Sequence, residues 1–278
     1  MTIRIVTDST CDLPQDAVAR HGITIVPLYI QAGGKSYLDG VDLTRKEFYE
    51  HLPVYRPAAT TAVPGTDVFR TAYERLAAEG ATEILSLHIS EKLSGMVNVA
   101  RQAAKETTII PVTVFDSRQL SLGMGFEVLT AAELAEAGRP MAEILAALER
   151  QIARTHVFAA LDTLEFLQRS GRMNFAMAAL GTLLQIKPFL KMHDGQPTAE
   201  RVRTRGAAMK RLVELLMEFG PFEKAAVLHS AAAQRARELL DEVRHLLPAG
   251  EVWLEEINPV IGSHIGPGVI GFACISKA

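Results

Sequence analysis

The sequence has few cysteines and no long apolar run. Cys11 and Cys274 are the only cysteines among 278 residues, too few for a disulfide framework or a cysteine-rich metal site. Two apolar stretches, LVELLMEF and AALGTLLQI, are well short of the ~20 residues that a membrane-spanning helix needs. The start, MTIRIVTDST, lacks the basic and then apolar segments of a secretion signal. These absences predict a soluble protein of the reducing cytoplasm, without a membrane span.

The sequence also lacks an excess of positive charge. Its formal net charge is −3, and its arginines are scattered or lie in short groups rather than along one helix. Nucleic acid is therefore not predicted as a partner, because binding to phosphate backbones needs a basic surface. Hydrophobic residues make up 48% and charged residues 22%, which is typical of an ordinary folded protein.

No complete nucleotide-binding motif is present. The stretch GGKS at 33–36 lacks the first glycine of a P-loop, and GMGFEV has Val128 where a third glycine is required. Gly266, Gly268 and Gly271 have the spacing of a dinucleotide-binding fingerprint, but they lead into VIGFACIS, which is predicted to be a strand and not a helix. The sequence therefore predicts no site for ATP or a dinucleotide, and no cofactor.

The chain length of 278 residues favours two domains, predicted at 1–155 and 156–278. In the first, apolar runs alternate with amphipathic helices, which predicts a mostly parallel sheet with flanking helices; the runs are IRIVTDS, GITIVPLYI, EILSLHIS and VTVFDS. The helix after PGTD places Phe69, Tyr73 and Leu76 on one face and ends at Gly80.

The second domain has a different pattern. HVFAALD precedes two short predicted helices, and two extended segments then flank an Asp194-Gly195 turn, which predicts a hairpin. Further helices through RLVELLMEF and QRARELLDEVRHLL alternate with strands at KAAVLHS, VWLEEI and VIGFACIS. A hairpin among such units predicts a mixed sheet, so the fold class is α/β in both domains.

Hydroxyl-rich segments follow the predicted strands of the first domain, where an open α/β sheet places its ligands. Ser94 in LSGMVNVA lies near a helix N-terminus, where it is either an N-cap or a contact for an anion. Thr61 in TTAVPG has the alternative of a turn residue. Asp8 and Asp116, each followed by a serine, are interpreted as capping or Asx-turn residues rather than acid–base catalysts.

Basic residues that are candidates for ligand binding lie in the predicted second domain. His264 has no second histidine at metal-ligand spacing, so no metal is predicted; its glycine-rich surroundings indicate a turn. Arg172 in RSGRM and Arg203 in ERVRTRG are either solvated arginines or binding residues.

The order of these segments closely resembles the DegV family over essentially the full chain. The matching motifs are IVTDSTCDLP, SYLDG, TTAVPGTDVF, SEKLSGMVNVA, VFDSRQLSLGMG, TLEFLQRSGRM, IKPFLKMHDGQ, RVRTR and IGSHIGPGVIGF. The resemblance implies a two-domain α/β protein that binds a long-chain fatty acid in a buried pocket. The bacterial fatty-acid-binding FakB proteins belong to this family, and a separate fatty acid kinase phosphorylates the bound carboxylate to an acyl phosphate.

The resemblance also implies roles for particular residues. Thr61, Ser94 and His264 match the head-group contacts, while Arg172 and Arg203 match basic positions near the same crevice, for the kinase or for phosphotransfer. Such a carrier has no catalytic residue of its own. An alternative is a serine hydrolase of lipid esters, with Ser94 as nucleophile and His264 as base, although no Gly-x-Ser-x-Gly elbow surrounds Ser94.

Overall fold

The computed structural model describes residues 2–172 and 187–278. In chain order, the strands of these residues are β1 (Ile3–Asp8), β2 (Thr24–Val26), β3 (Tyr29–Ala32), β4 (Lys35–Leu38), β5 (Thr60–Ala62), β6 (Glu83–His88), β7 (Val112–Asp116), β8 (Thr155–Ala160), β9 (Lys187–His193), β10 (Gln196–Val202), β11 (Phe222–His229), β12 (Trp253–Glu256) and β13 (Ile270–Ser276). The α-helices are α1 (Gln15–Arg20), α2 (Arg45–His51), α3 (Thr66–Ala78), α4 (Met96–Glu106), α5 (Ser121–Glu136), α6 (Met141–Ile152), α7 (Glu165–Arg169), α8 (Arg205–Phe219), α9 (Ala233–Val243) and α10 (Pro259–Ile265). Two short 3-10 helices span Ser9–Cys11 and Arg244–Leu246.

A four-stranded parallel sheet lies in the N-terminal half, in the order β2-β1-β6-β7. Helix α4 packs against β6 and β7, and α5 packs against β1. The apolar face of α3 is buried as predicted, with Phe69 and Tyr73 fully inaccessible and Leu76 nearly so. The alternation of strands and helices thus produces the predicted parallel sheet, because parallel neighbours need helical crossovers between them.

The segment GITIVPLYI forms two strands rather than one. β2 joins the edge of the parallel sheet, whereas β3 is the centre of a separate antiparallel sheet in the order β4-β3-β5. Pro27 lies between them and has no N–H to donate to a sheet, which favours a break at this point. Leu28 N, the next donor, binds Ser9 Oγ instead.

The second sheet has six strands in the order β10-β9-β8-β13-β11-β12. Among the described strands of this sheet, only β11 and β12 pair in parallel, so the sheet is mixed, as predicted. The predicted hairpin is formed by β9 and β10, and Asp194 and Gly195 adopt the positive φ angles of its tight turn. Of the two short helices expected after HVFAALD, α7 is the first, and the second lies outside the described residues.

The six-stranded sheet is covered on both faces. Alternate residues of β13 enter two different apolar clusters, as the two-residue period of a strand requires. Phe272 and Cys274 pack with the cluster under α8 and α9, whereas Ala273 and Ile275 join the larger cluster that continues into the parallel sheet of the N-terminal half. β8 is the first strand of this sheet in chain order, and it starts at Thr155. The division into domains at 155 stays a prediction.

Candidate functional site

A cavity of about 500 Å³ lies between the N-terminal half and the six-stranded sheet. This volume is within the roughly 300–1,000 Å³ that small-molecule sites occupy. Its walls are mainly apolar, with contributions from Leu28, Val63, Ile89, Leu93, Leu120, Val157, Phe158, Leu161, Leu167, Leu190, Met192, Leu228, Ile257, Val260, Ile261 and Ile265. The cavity can therefore hold a long apolar group away from water.

The parallel sheet supplies one side of this cavity from the carboxyl ends of its strands. Thr10 follows β1, Ser94 and Gly95 follow β6, and Ser121 follows β7. Segments after parallel strands meet at one edge of a sheet, which is the expected place for a ligand in an open α/β fold. The hydroxyl-rich segments that the sequence places after strands therefore do converge on one site.

Thr61 and His264 meet in the wall of the cavity, although 203 residues separate them. Thr61 lies on β5, paired with Ile30 of β3, so the alternative of a turn residue is wrong. Thr61 Oγ1 and His264 Nε2 are hydrogen-bonded at 3.1 Å. The contact joins the small antiparallel sheet to α10 in the wall of the cavity.

Ser94 lies in the same wall, one residue before the N-cap of α4. Gly95 is the N-cap residue, so Ser94 lies one position before the place predicted for a capping serine, although its hydroxyl still accepts from an amide of the first turn. Met96 N donates to Ser94 Oγ at a long 3.4 Å. The hydroxyl is held near a helix N-terminus, where anions are favoured, and it retains capacity for a ligand.

His264 lies in the last turn of α10 and not in the glycine turn that the sequence indicated. The turn follows it: Gly266 and Gly268 have positive φ angles, and a Cβ at Gly266 would overlap the ring of Phe166. These glycines connect a helix to a strand, which is the reverse of the dinucleotide-binding order. They allow the chain to leave α10 closely packed against α7.

His264 is neutral at neutral pH. Burial, with a smaller contribution from the positive charge of Arg172, lowers the pKa of His264 to about 4. Its Nδ1 atom is buried and has no hydrogen-bond partner among the described residues. A neutral imidazole has one donor and one acceptor nitrogen, so it can orient a carboxylate or hydroxyl without adding a charge.

Arg172 also lines the cavity, whereas Arg203 does not. Arg172 is exposed and directs its guanidinium to the Ser170 carbonyl oxygen at 2.8 Å. Arg203 is exposed in the segment between β10 and α8. The structure therefore places Thr61, Ser94, His264 and Arg172 in the wall of one cavity and leaves Arg203 on the surface outside it.

The serine hydrolase alternative finds no support in this geometry. The hydrogen-bonding partner of His264 Nε2 is Thr61, and no hydrogen bond joins His264 to a carboxylate in residues 2–172 and 187–278. A histidine base needs an acidic or polar group to orient its second nitrogen, and Nδ1 has none there. Asp8 and Asp116 behave as interpreted: Asp8 accepts from Thr10 N, and Asp116 accepts from Arg118 N and Glu91 N.

Sequence reasoning missed most of the cavity wall. The apolar lining residues come from strands and loops throughout the chain, and nothing in their spacing distinguishes them from ordinary core residues. Lys191 on β9 was also missed; it lines the cavity and pairs with Glu200. Thr10 and Ser121 lie in segments whose hydroxyl content after a strand was already a usable signal.

The whole chain matches one family model, described as "Uncharacterised protein, DegV family", over residues 2–277. The chain belongs to the DegV family. Among curated DegV proteins, a DegV domain-containing protein of Streptomyces coelicolor is 38% identical over 279 residues, with 99% of each chain covered. Protein DegV of Bacillus subtilis is 33% identical over 282 residues, with 100% of each chain covered.

Solved DegV structures have the same architecture. A DegV family protein from Thermus thermophilus, described as fatty-acid-binding, is 39% identical and covers 100% of both chains with a TM-score of 0.91. DegV of Bacillus subtilis, described as a fatty acid binding protein, is 31% identical and covers 100% of both chains with a TM-score of 0.90. The predicted DegV-type α/β fold is thus confirmed.

Two absences hold in the described part of this DegV chain. None of its helices combines the length and apolar character needed to cross a bilayer. In the same residues, no three His, Cys, Asp or Glu side chains are grouped so as to hold a metal ion.

Proposed function

We propose that this protein binds one long-chain fatty acid in the 500 Å³ cavity, with the acyl tail along the apolar walls and the carboxylate at Thr61, Ser94 and His264. The observation that supports the proposal is an apolar cavity whose wall also contains the Ser94 hydroxyl and the hydrogen-bonded pair of Thr61 and a neutral His264. The relatives described as fatty-acid-binding support this ligand class.

The energetics of the two parts of the ligand differ. Burying each methylene is worth about 0.8 kcal/mol, so a long tail supplies on the order of 10 kcal/mol before ordering costs. Hydrogen bonds to a charged head contribute roughly 1.5–3 kcal/mol each. The tail therefore dominates affinity, and the polar end determines which way round the ligand binds and selects acids over uncharged lipids.

We further propose that the protein is a carrier rather than an enzyme. In this role it presents the carboxylate to a separate fatty acid kinase in the bacterial cytoplasm, and acyl phosphate forms only when that kinase is present. The chain lacks a P-loop and a kinase glycine loop, which supports a phosphoryl donor held elsewhere. Arg172 at the cavity and the exposed Arg203 are the residues proposed for the kinase or the phosphoryl group.

The direct experiment is mass spectrometry of lipid released from the purified, denatured protein. One fatty acid per chain is expected. In parallel, palmitate added to delipidated protein should raise the melting temperature, because a ligand that binds only the native state stabilises it. Extraction that repeatedly yields no acyl chain, together with no thermal shift, would refute the proposal.

A further inference from the structure

The carboxylate of Asp12 is a buried junction between three elements. Its side chain is inaccessible to solvent, and it accepts hydrogen bonds from Ser121 Oγ at 2.5 Å, from Asn258 N at 2.9 Å and from Asn258 Nδ2 at 3.0 Å. Arg45 Nη2 lies 3.3 Å from the same carboxylate. Ser121 begins α5, Arg45 begins α2 and Asn258 precedes α10, so one acid connects the starts of three helices.

Asn258 also caps α10. Its Oδ1 accepts from Ile261 N at 2.9 Å, while its Nδ2 donates to Asp12. Two further hydrogen bonds fix the backbone of this segment. Tyr49 Oη donates to the Ile257 carbonyl oxygen at 2.9 Å, and Arg45 donates to the Glu256 carbonyl oxygen. The N-terminal half of the protein therefore determines where α10 begins.

α10 has only seven residues, and His264 lies in its last turn. An isolated helix of this length is not stable in water, so its position depends on such anchors. With a rise of about 1.5 Å per residue, Asn258 and His264 are roughly 9 Å apart along the helix axis, so the cap and the imidazole belong to one short element. Tyr49 packs directly against Gly262 in the middle of the helix, where any Cβ would overlap the phenol.

We infer that Asp12 is a positioning residue for His264: its carboxylate, through Asn258, holds α10 in the register that brings the imidazole to Thr61. Removing the carboxylate leaves four donors without their acceptor and frees the start of α10 to move. The consequence for ligand binding rests on the proposed function, whereas the consequence for the imidazole does not.

The binding test is a double-mutant cycle of Asp12→Ala and His264→Gln, measured with palmitate and with hexadecanol. Because Asp12 acts through His264, we expect Asp12→Ala to weaken palmitate binding about tenfold and hexadecanol binding much less, and to add little in the His264→Gln background. Tyr73→Phe is the matched control, since it removes another buried hydrogen bond, to Ser86 at 2.7 Å, outside the cavity wall.

A second readout needs no ligand. In NMR spectra of isotope-labelled histidine, the ring signals of His264 should shift in Asp12→Ala and stay unchanged in Tyr73→Phe. If wild-type protein fails to bind palmitate, this measurement still tests the positioning role. Should Asp12→Ala not fold, Asn258→Ser replaces it, because serine retains the cap and removes only the Nδ2 donor.

Three results would overturn the inference. One is an unchanged His264 ring signal in a folded Asp12 or Asn258 variant. The second is an equal loss of palmitate and hexadecanol affinity, which would indicate general damage to the cavity. The third is full additivity of the Asp12 and His264 substitutions, which would show that the two residues act independently.

Discussion

Replacement of Thr61 by valine is the most informative perturbation of the proposed head-group site. Valine has nearly the volume of threonine and favours strands equally well, so β5 and the cavity shape should survive. The substitution removes the hydroxyl that bonds to His264 Nε2 at 3.1 Å. Since Nδ1 has no partner among the described residues, the imidazole would then lack its one hydrogen bond to the described part of the chain.

The expected loss follows from the role of that hydroxyl. One hydrogen bond to a charged group contributes roughly 1.5–3 kcal/mol, which corresponds to about a tenfold to a hundredfold weaker affinity for palmitate. A small further loss is expected because His264 is no longer oriented by Thr61. Hexadecanol has the same tail and no carboxylate, so its affinity should fall by a much smaller factor.

Isothermal titration calorimetry with delipidated protein measures the affinities for palmitate and for hexadecanol directly. Thr60→Val is a matched control, because Thr60 is the preceding residue of β5, is exposed and lies outside the cavity wall. If Thr61→Val and Thr60→Val bind palmitate equally well, the carboxylate does not bind at Thr61 and the proposed orientation of the ligand is wrong.

Three other predictions use the same structure. Arg172→Ala should leave palmitate binding nearly unchanged and, if the proposed kinase partner exists, reduce its formation of acyl phosphate at least about tenfold; undiminished phosphorylation would mean that Arg172 has no role in phosphotransfer. Glu127 is fully buried with both carboxyl oxygens unpartnered in the described part of the chain, and burial raises its pKa well above 4.5, so stability should fall as pH rises from about that value. Glu127→Gln should reduce that slope in urea titrations at several pH values, and an identical slope would show that Glu127 ionises in the fold. Burial, with a smaller contribution from His193, lowers the pKa of His156 to about 4, so stability should fall as pH drops from 6.5 towards 4. His156→Phe keeps a ring between His193 and Phe219 and should lessen this loss in thermal melts, whereas an unchanged acid profile would contradict the assignment.

The alternation of strands and helices could be predicted because each segment's apolar period depends on its own residues. The face of α3 and the hairpin at Asp194 are local in this sense. The break at Pro27 was missed because GITIVPLYI is apolar on both sides of the proline, and its two halves join different sheets only through distant partners.

The site is less accessible to sequence reasoning. The sequence pattern predicts hydroxyl side chains just after several strands. In contrast, only the family resemblance, and no local pattern, implied that Thr61 and His264 line the same site, where they are hydrogen-bonded. The conspicuous glycines after His264 favour a turn, whereas the short helix that contains it depends on Asn258 and Asp12, which are 246 residues apart. The apolar walls could not be selected at all, since their residues resemble every other core residue.

The separation of Thr61 from His264 also has a kinetic meaning. A contact between residues so distant along the chain requires a large loss of chain entropy, so we expect it to form late in folding. Neither half of the molecule carries the hydroxyl and the imidazole together, and the apolar walls of the cavity also come from both halves, so a fragment or a half-folded chain should not retain a fatty acid. Lipid would then bind only to the fully folded protein. The rate at which a refolding chain begins to retain a fluorescent fatty acid would therefore report the docking of the two halves and not the formation of either sheet.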